Sequence, residues 1–143
     1  MANIPKNAPE RDALIEAYFR HAAAGPEEED DFWAWEAVSD AAQLASADEI
    51  WPFLLDLVRR APDALLGNVA AGPLEHAIRE HGSALVDRAE TEAASDPRFQ
   101  RALGGIWLEH GELPATVIKR LVRASGDRIK PLPASKRRER RRR

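Results

Sequence analysis

Four histidines, six serines and many carboxylates are the side chains of this sequence that could do chemistry. His76 and Glu80 stand four apart and share a helix face, as do Glu75 and Arg79. His76 and His81 stand five apart, on different faces, so they do not form the i, i+4 pair of a helical metal site. His81 and His110 each precede a glycine, where an imidazole is favourable near a helix C-terminus. None of Ser39, Ser46, Ser83, Ser95, Ser125 and Ser135 lies in a Gly-x-Ser-x-Gly elbow or pairs with a recognisable histidine and acid. Gly104-Gly105 lacks the flanking pattern of a phosphate loop and the Lys-Ser/Thr that would follow it. The chain has no cysteine, which excludes Cys-ligated zinc, disulfides, iron–sulfur clusters and thiol catalysis. No metal and no cofactor are expected. An enzyme, if there is one, would use an unfamiliar site around Glu36, Glu75 and His81.

Two groupings point to binding instead. Trp33, Trp35, Trp51 and Trp107 are many tryptophans for 143 residues. Their helical spacing beside Val38, Leu54 and Ile106 reads mainly as core. Trp33 and Trp35 are two apart, however, so one helix cannot aim both the same way. One of them should reach an edge or groove, where an aromatic ring anchors a partner. The candidate partner-binding residues are therefore Trp33, Trp35, Glu36, Trp51, Glu75, His81 and Trp107. The second grouping is the C-terminal run Lys136, Arg137, Arg138, Arg140, Arg141, Arg142 and Arg143. Like charges this dense stay solvated, and arginine forks pair well with phosphates. Engaging about six phosphates would give a log–log salt slope near −5. Such a run binds nucleic acid, anionic lipid or acidic protein without reading sequence, folds back on Glu27–Asp31, or has no partner.

The net charge of −3 conceals this asymmetry. From Asp127 onward there are nine Lys/Arg and two Asp/Glu, +7; residues 1–126 carry the remaining 12 basic and 22 acidic groups, −10.

The elements that must position these residues are helices. Alanine and leucine dominate, β-branched residues are few, and no stretch alternates with period two. A first helix is expected over Pro9–Ala23, ended by Gly25-Pro26, and a second over Phe32–Leu44 after the acidic loop Glu27–Asp31. The third begins near Asp48 as cap, with Pro52 in its first turn, and its broad apolar arc marks it as central. Pro62 opens a short fourth helix that Gly72 stops. Gly72-Pro73 opens a fifth, with Glu75 folding back on the Gly72 amide as in a capping box or else facing a ligand. At a positive helix end a carboxylate's pKa falls, which works against general acid chemistry. Gly82 closes that helix and Ser83 caps a sixth. Asp96-Pro97 starts a stripe through Phe99, Ala102, Leu103, Ile106 and Trp107; at Gly104-Gly105 either another helix crosses closely or this one breaks. Pro114 opens a last helix, capped at Gly126.

The stretch from Trp51 to Trp107 resembles the bacterial domain-of-unknown-function 6869 family. Trp51, Ala70-Ala71-Gly72-Pro73-Leu74-Glu75, His81-Gly82, Asp96-Pro97-Arg98-Phe99, Leu103 and Trp107 carry the resemblance, which covers about residues 30–110. It implies a helical bacterial domain with no established activity, ligand or partner.

The expectation is thus an all-α protein, a compact bundle or short stack of seven to eight helices. Residues 1–126 form a single helical domain and 127–143 a disordered Arg-rich tail. The N-terminus has no apolar run suited to a secretory signal, and the longest apolar run, Ile50 to Leu55, is six residues against about 20 for a membrane span. A soluble, cytoplasmic, non-enzymatic protein-interaction module is expected, with non-specific nucleic-acid binding through the tail as the alternative.

Overall fold

The computed structural model describes residues 4–134, where every regular element is helical apart from one parallel β-bridge between Glu109 and Leu132. Helix α1 (Ala8–Ala24) starts where the Asn7 side chain accepts from the Glu10 amide at 2.9 Å, and stops at Gly25, whose φ of 101° suits glycine. Helix α2 (Phe32–Leu44) turns small side chains inward: Ala34, Val38, Ala41 and Ala42. This lets it lie close on α1 and leaves its bulky rings outside. Helix α3 (Ala47–Arg60) is capped by Ser46, not Asp48. Ser46 Oγ accepts from the Glu49 amide at 3.2 Å while Glu49 reaches back to the Ser46 amide, also at 3.2 Å. The earlier start puts Pro52 in the second turn. Ile50, Phe53, Leu54, Leu57 and Val58 form the buried stripe.

A 3₁₀ turn, Asp63–Leu65, leads into the short helix α4 (Leu66–Val69), a π turn (Ala70–Leu74) and α5 (Glu75–Ser95) without a break. The expected stop and restart at Gly72-Pro73 is therefore corrected. Pro73 has no N–H to give, and the wider π winding accommodates the missing i→i−4 bond. Gly82 does not end α5 either: His81, at φ −128° and ψ 17°, kinks it and the helix resumes. A Cβ on Gly82 would stand 2.6 Å from Leu113 Cδ1, so close packing explains the glycine. With α4, the π turn and α5 forming one bent rod, the described residues hold six helices, not seven or eight. That rod is the centre of the fold. Helix α5 packs on α2, α3, α6 and α7, and α3 in turn packs on α4, α5 and α6, on more than one side, as its broad apolar arc implies.

Helix α6 (Pro97–Leu103) breaks at Gly104-Gly105. A neighbour is also close there: a Cβ on Gly105 would lie 3.0 Å from that of Ala70. Helical phase is lost after Leu103, so Trp107 leaves the stripe and is 61% exposed. Helix α7 (Ala115–Ala124) buries Val117, Ile118 and Leu121. The chain then turns back, with Ser125 Oγ accepting from the Arg128 and Ile129 amides at 3.1 Å. Ile129 is buried, and the Leu132 amide donates to the Leu108 carbonyl at 2.8 Å. The stretch from Asp127, expected to be solvated, is thus held to the body as far as Leu132, because two apolar side chains precede the dense charge. The run from Lys136 to Arg143 lies outside the described residues. Among the described residues, no helix is long and apolar enough to cross a membrane.

One stability test arises from this bent rod. Gly67 is exposed in α4, and a Cβ there would meet nothing within 4 Å. Gly67→Ala should stabilise the protein by about 0.5–1 kcal/mol, read as a higher urea midpoint with an unchanged slope.

Candidate interaction surfaces

The outer side of α2 carries Phe32, Trp33 and Trp35, exposed at 41%, 52% and 44%. Both tryptophans face outward, a correction to the reading that placed these rings mainly in the core. Ala34 and Val38 occupy the inward phase instead. Phe32 and Trp35, three apart, stack with ring centres 5.5 Å apart, and His21 meets the Phe32 ring edge-on. Along the other flank Trp33, Glu36, Asp40 and Leu44 follow one another at helical spacing, all exposed. Between Arg20 and Arg59 the chain has ten acidic side chains and no lysine or arginine. Glu36 and Asp40 have no ion-pair partner among the described residues.

Trp35 also lines a cavity of about 180 Å³ between α1, α2 and the π turn, together with Tyr18, His21, Ser39, Asn68 and His76. Burial pushes the Tyr18 hydroxyl up to about 12, so it stays protonated. His21 Nδ1 lies 3.0 Å from Glu28 Oε2, and the same carboxylate accepts from the Asp31 amide, fixing the loop that enters α2. His76 Nδ1 is buried without a hydrogen-bond partner. The cavity is smaller than the roughly 300–1,000 Å³ of drug-sized sites and suits a single side chain.

A second surface surrounds Trp107. Glu75 is buried, but its carboxylate does not fold back on Gly72: Oε1 accepts from the Trp107 amide at 2.6 Å. Arg79 donates to the Trp107 carbonyl at 3.2 Å and pairs with Glu75 at 3.3 Å and Glu112 at 2.8 Å. The Trp107 peptide is thus gripped on both sides while its ring projects into water. The ring borders a groove of about 330 Å³ with Gly104, Gly105, Ile106, Arg128 and Lys130.

The family model DUF6869 covers residues 21–128. The chain belongs to DUF6869, a family of unknown function. Neither a curated protein nor a solved structure matches it. The DUF6869 region takes in α2, most of the cavity and the Trp107 ring, and stops short of Lys130 and the arginine run.

The sequence-predicted residues are therefore scattered. Trp33, Trp35 and Glu36 share the exposed side of α2, whereas Trp51 is half-buried, edge-on to Phe99 with centres 5.6 Å apart. Glu75 and Trp107 meet through backbone and carboxylate. His81 stands apart: its Nε2 donates to the Ala45 carbonyl at 2.9 Å, tying the α5 kink to the end of α2. No cavity described here brings two of Glu36, Glu75 and His81 together. Sequence reasoning missed Tyr18, Asn68 and the free nitrogen of His76. The one local signal for them was proline inside an otherwise unbroken helical stretch, since π turns recur at functional sites.

Proposed function

We propose that this DUF6869 protein is a non-enzymatic interaction module that captures a basic partner segment on the outer side of α2. The observation that carries the reading is the exposure of Phe32, Trp33 and Trp35 on one helix, within 38 residues that lack lysine and arginine. Exposed aromatic clusters mark interfaces, and tryptophan dominates their energetic centres. Glu36 and Asp40, four apart on that helix, repel each other and gain from an incoming cation. Lysine or arginine stems can lie along the rings with their charge over a π face, and the Tyr18–His76 cavity has room for one anchoring side chain.

The test is selection of random peptides on the full-length protein, followed by affinity measurements. Selected sequences should be rich in lysine or arginine beside an apolar residue, and should weaken as salt rises. Trp33→Ala and Trp35→Ala should each weaken binding by about 30-fold, the effect of losing about 2 kcal/mol at a hot spot. Both rings are exposed, so thermal stability should change little. Enrichment of acidic or neutral peptides would overturn the proposal. So would Trp33-dependent self-association without peptide binding, which would make a second copy the occupant.

A further inference from the structure

We infer that the groove beside Trp107 is a binding site for single-stranded nucleic acid, with a base stacked on the indole and the flanking phosphates held by Arg128 and Lys130. Three observations converge. Trp107 is 61% exposed while its backbone is held on both sides by Glu75 and Arg79, so the segment that presents the ring is ordered before binding. The groove lining contains two cations and no carboxylate, in a protein whose first 126 residues carry a net −10. Neither cation is spent on an ion pair among the described residues: Lys130 Nζ donates only to the Asp127 carbonyl, at 2.8 Å.

Aromatic faces between cations are the means by which proteins hold single strands without reading sequence. Every base has a π face, whereas a duplex hides its bases from such a platform. The chain continues from this edge. Leu132 is pinned beside Leu108, which ties the segment bearing Arg128 and Lys130 to the body. The indole supplies the preference for unpaired bases, and Arg128 and Lys130 supply the charge.

Fluorescently labelled oligouridylate, oligothymidylate and a duplex of equal length are titrated with the full chain at several salt concentrations. Both single strands should bind more tightly than the duplex, with quenching of tryptophan emission; the two single-strand arms tell RNA from DNA. Trp107→Ala should weaken single-strand binding by roughly 5- to 150-fold, and Trp107→Phe by less, since stacking survives. Arg128→Gln and Lys130→Gln should each lower the log–log salt slope by about one. Trp33→Ala, on α2, should leave these affinities unchanged. Equal binding of duplex and single strands, or affinity indifferent to Trp107→Ala, would overturn the inference and leave the arginine run as a non-specific anchor. Displacement by polyglutamate as effective as by oligonucleotide would also overturn it, in favour of an acidic protein.

Discussion

Phe99→Ala should cost about 3–5 kcal/mol and lower the melting temperature by on the order of 10–20 °C. The ring is fully buried in the first turn of α6, edge-on to Trp51 of α3. Its loss removes the transfer energy of a whole benzyl group and an aromatic pair, and leaves a void that α3 and α6 cannot close. They cannot close it because Arg98, the residue before, already fixes their separation. Its Nε donates to the Val58 carbonyl at 2.8 Å, it also donates to the Ala61 carbonyl, and it pairs with Asp63 at 2.6 Å. The carbonyls at the end of α3 thus obtain donors that the helix itself cannot give. The same hydrogen bond, then the charges of Arg98 and Arg101, holds the Asp63 carboxyl below its ordinary value. Phe99→Leu, which keeps most of the volume, should lose less than about 1.5 kcal/mol. A chemical-denaturation series over the three proteins checks both figures. A loss under 1 kcal/mol for the alanine variant would mean that the helices do collapse inward.

The Asp96-Pro97-Arg98-Phe99 segment shows what was legible in the sequence and why. Asp96 caps, Pro97 opens the helix and Phe99 turns inward, all within one turn of chain, so local rules suffice. The same holds for the stripe of α3 and for the bounds of α2. Helical periodicity gives the phase of a stripe without saying which phase a neighbour will choose. Helix α2 has a bulky phase, Phe32 and Trp35, and a small one, Ala34, Val38, Ala41 and Ala42. Size favoured the first as core. The close approach of α1 and α5 selected the second and put the tryptophans outside. The Gly72-Pro73 pair failed for a related reason: glycine then proline is also how a helix starts, and only the uninterrupted winding on both sides makes it a π turn. Partners distant in sequence were out of reach altogether. His81 lies 36 residues from the Ala45 carbonyl it binds, and Glu75 lies 32 from the Trp107 amide. For the candidate sites the residue types were visible, but their grouping was not. Trp107 and Arg128 are brought together by a helix break and a return of the chain after α7, events that no local spacing encodes.

Glu75→Ala is the second large effect, at about 2–3 kcal/mol, and it separates two roles of one carboxylate. Glu75 accepts from the Trp107 amide and neutralises one side of Arg79. Truncation to alanine strands that amide, which costs about 1–3 kcal/mol where water cannot replace the lost acceptor. It also leaves Arg79 with Glu112 alone, a smaller loss because the Arg79 side chain is 36% exposed and solvent screens it. Glu75→Gln keeps an oxygen for the amide and gives up only the charge, so it should lose about 1 kcal/mol or less. The difference between these variants is the value of the backbone clamp, and it should reappear at the groove. If the clamp presents the indole, Glu75→Ala should weaken oligothymidylate binding though it touches no ligand, while Glu75→Gln should restore most of it. Hydrogen exchange gives the independent check: protection of the Trp107 amide should collapse in the alanine variant and persist in the glutamine one. Equal protection in both would mean that the 105–112 loop is held by packing around Ile106 and Leu108, and that the carboxylate contributes charge alone.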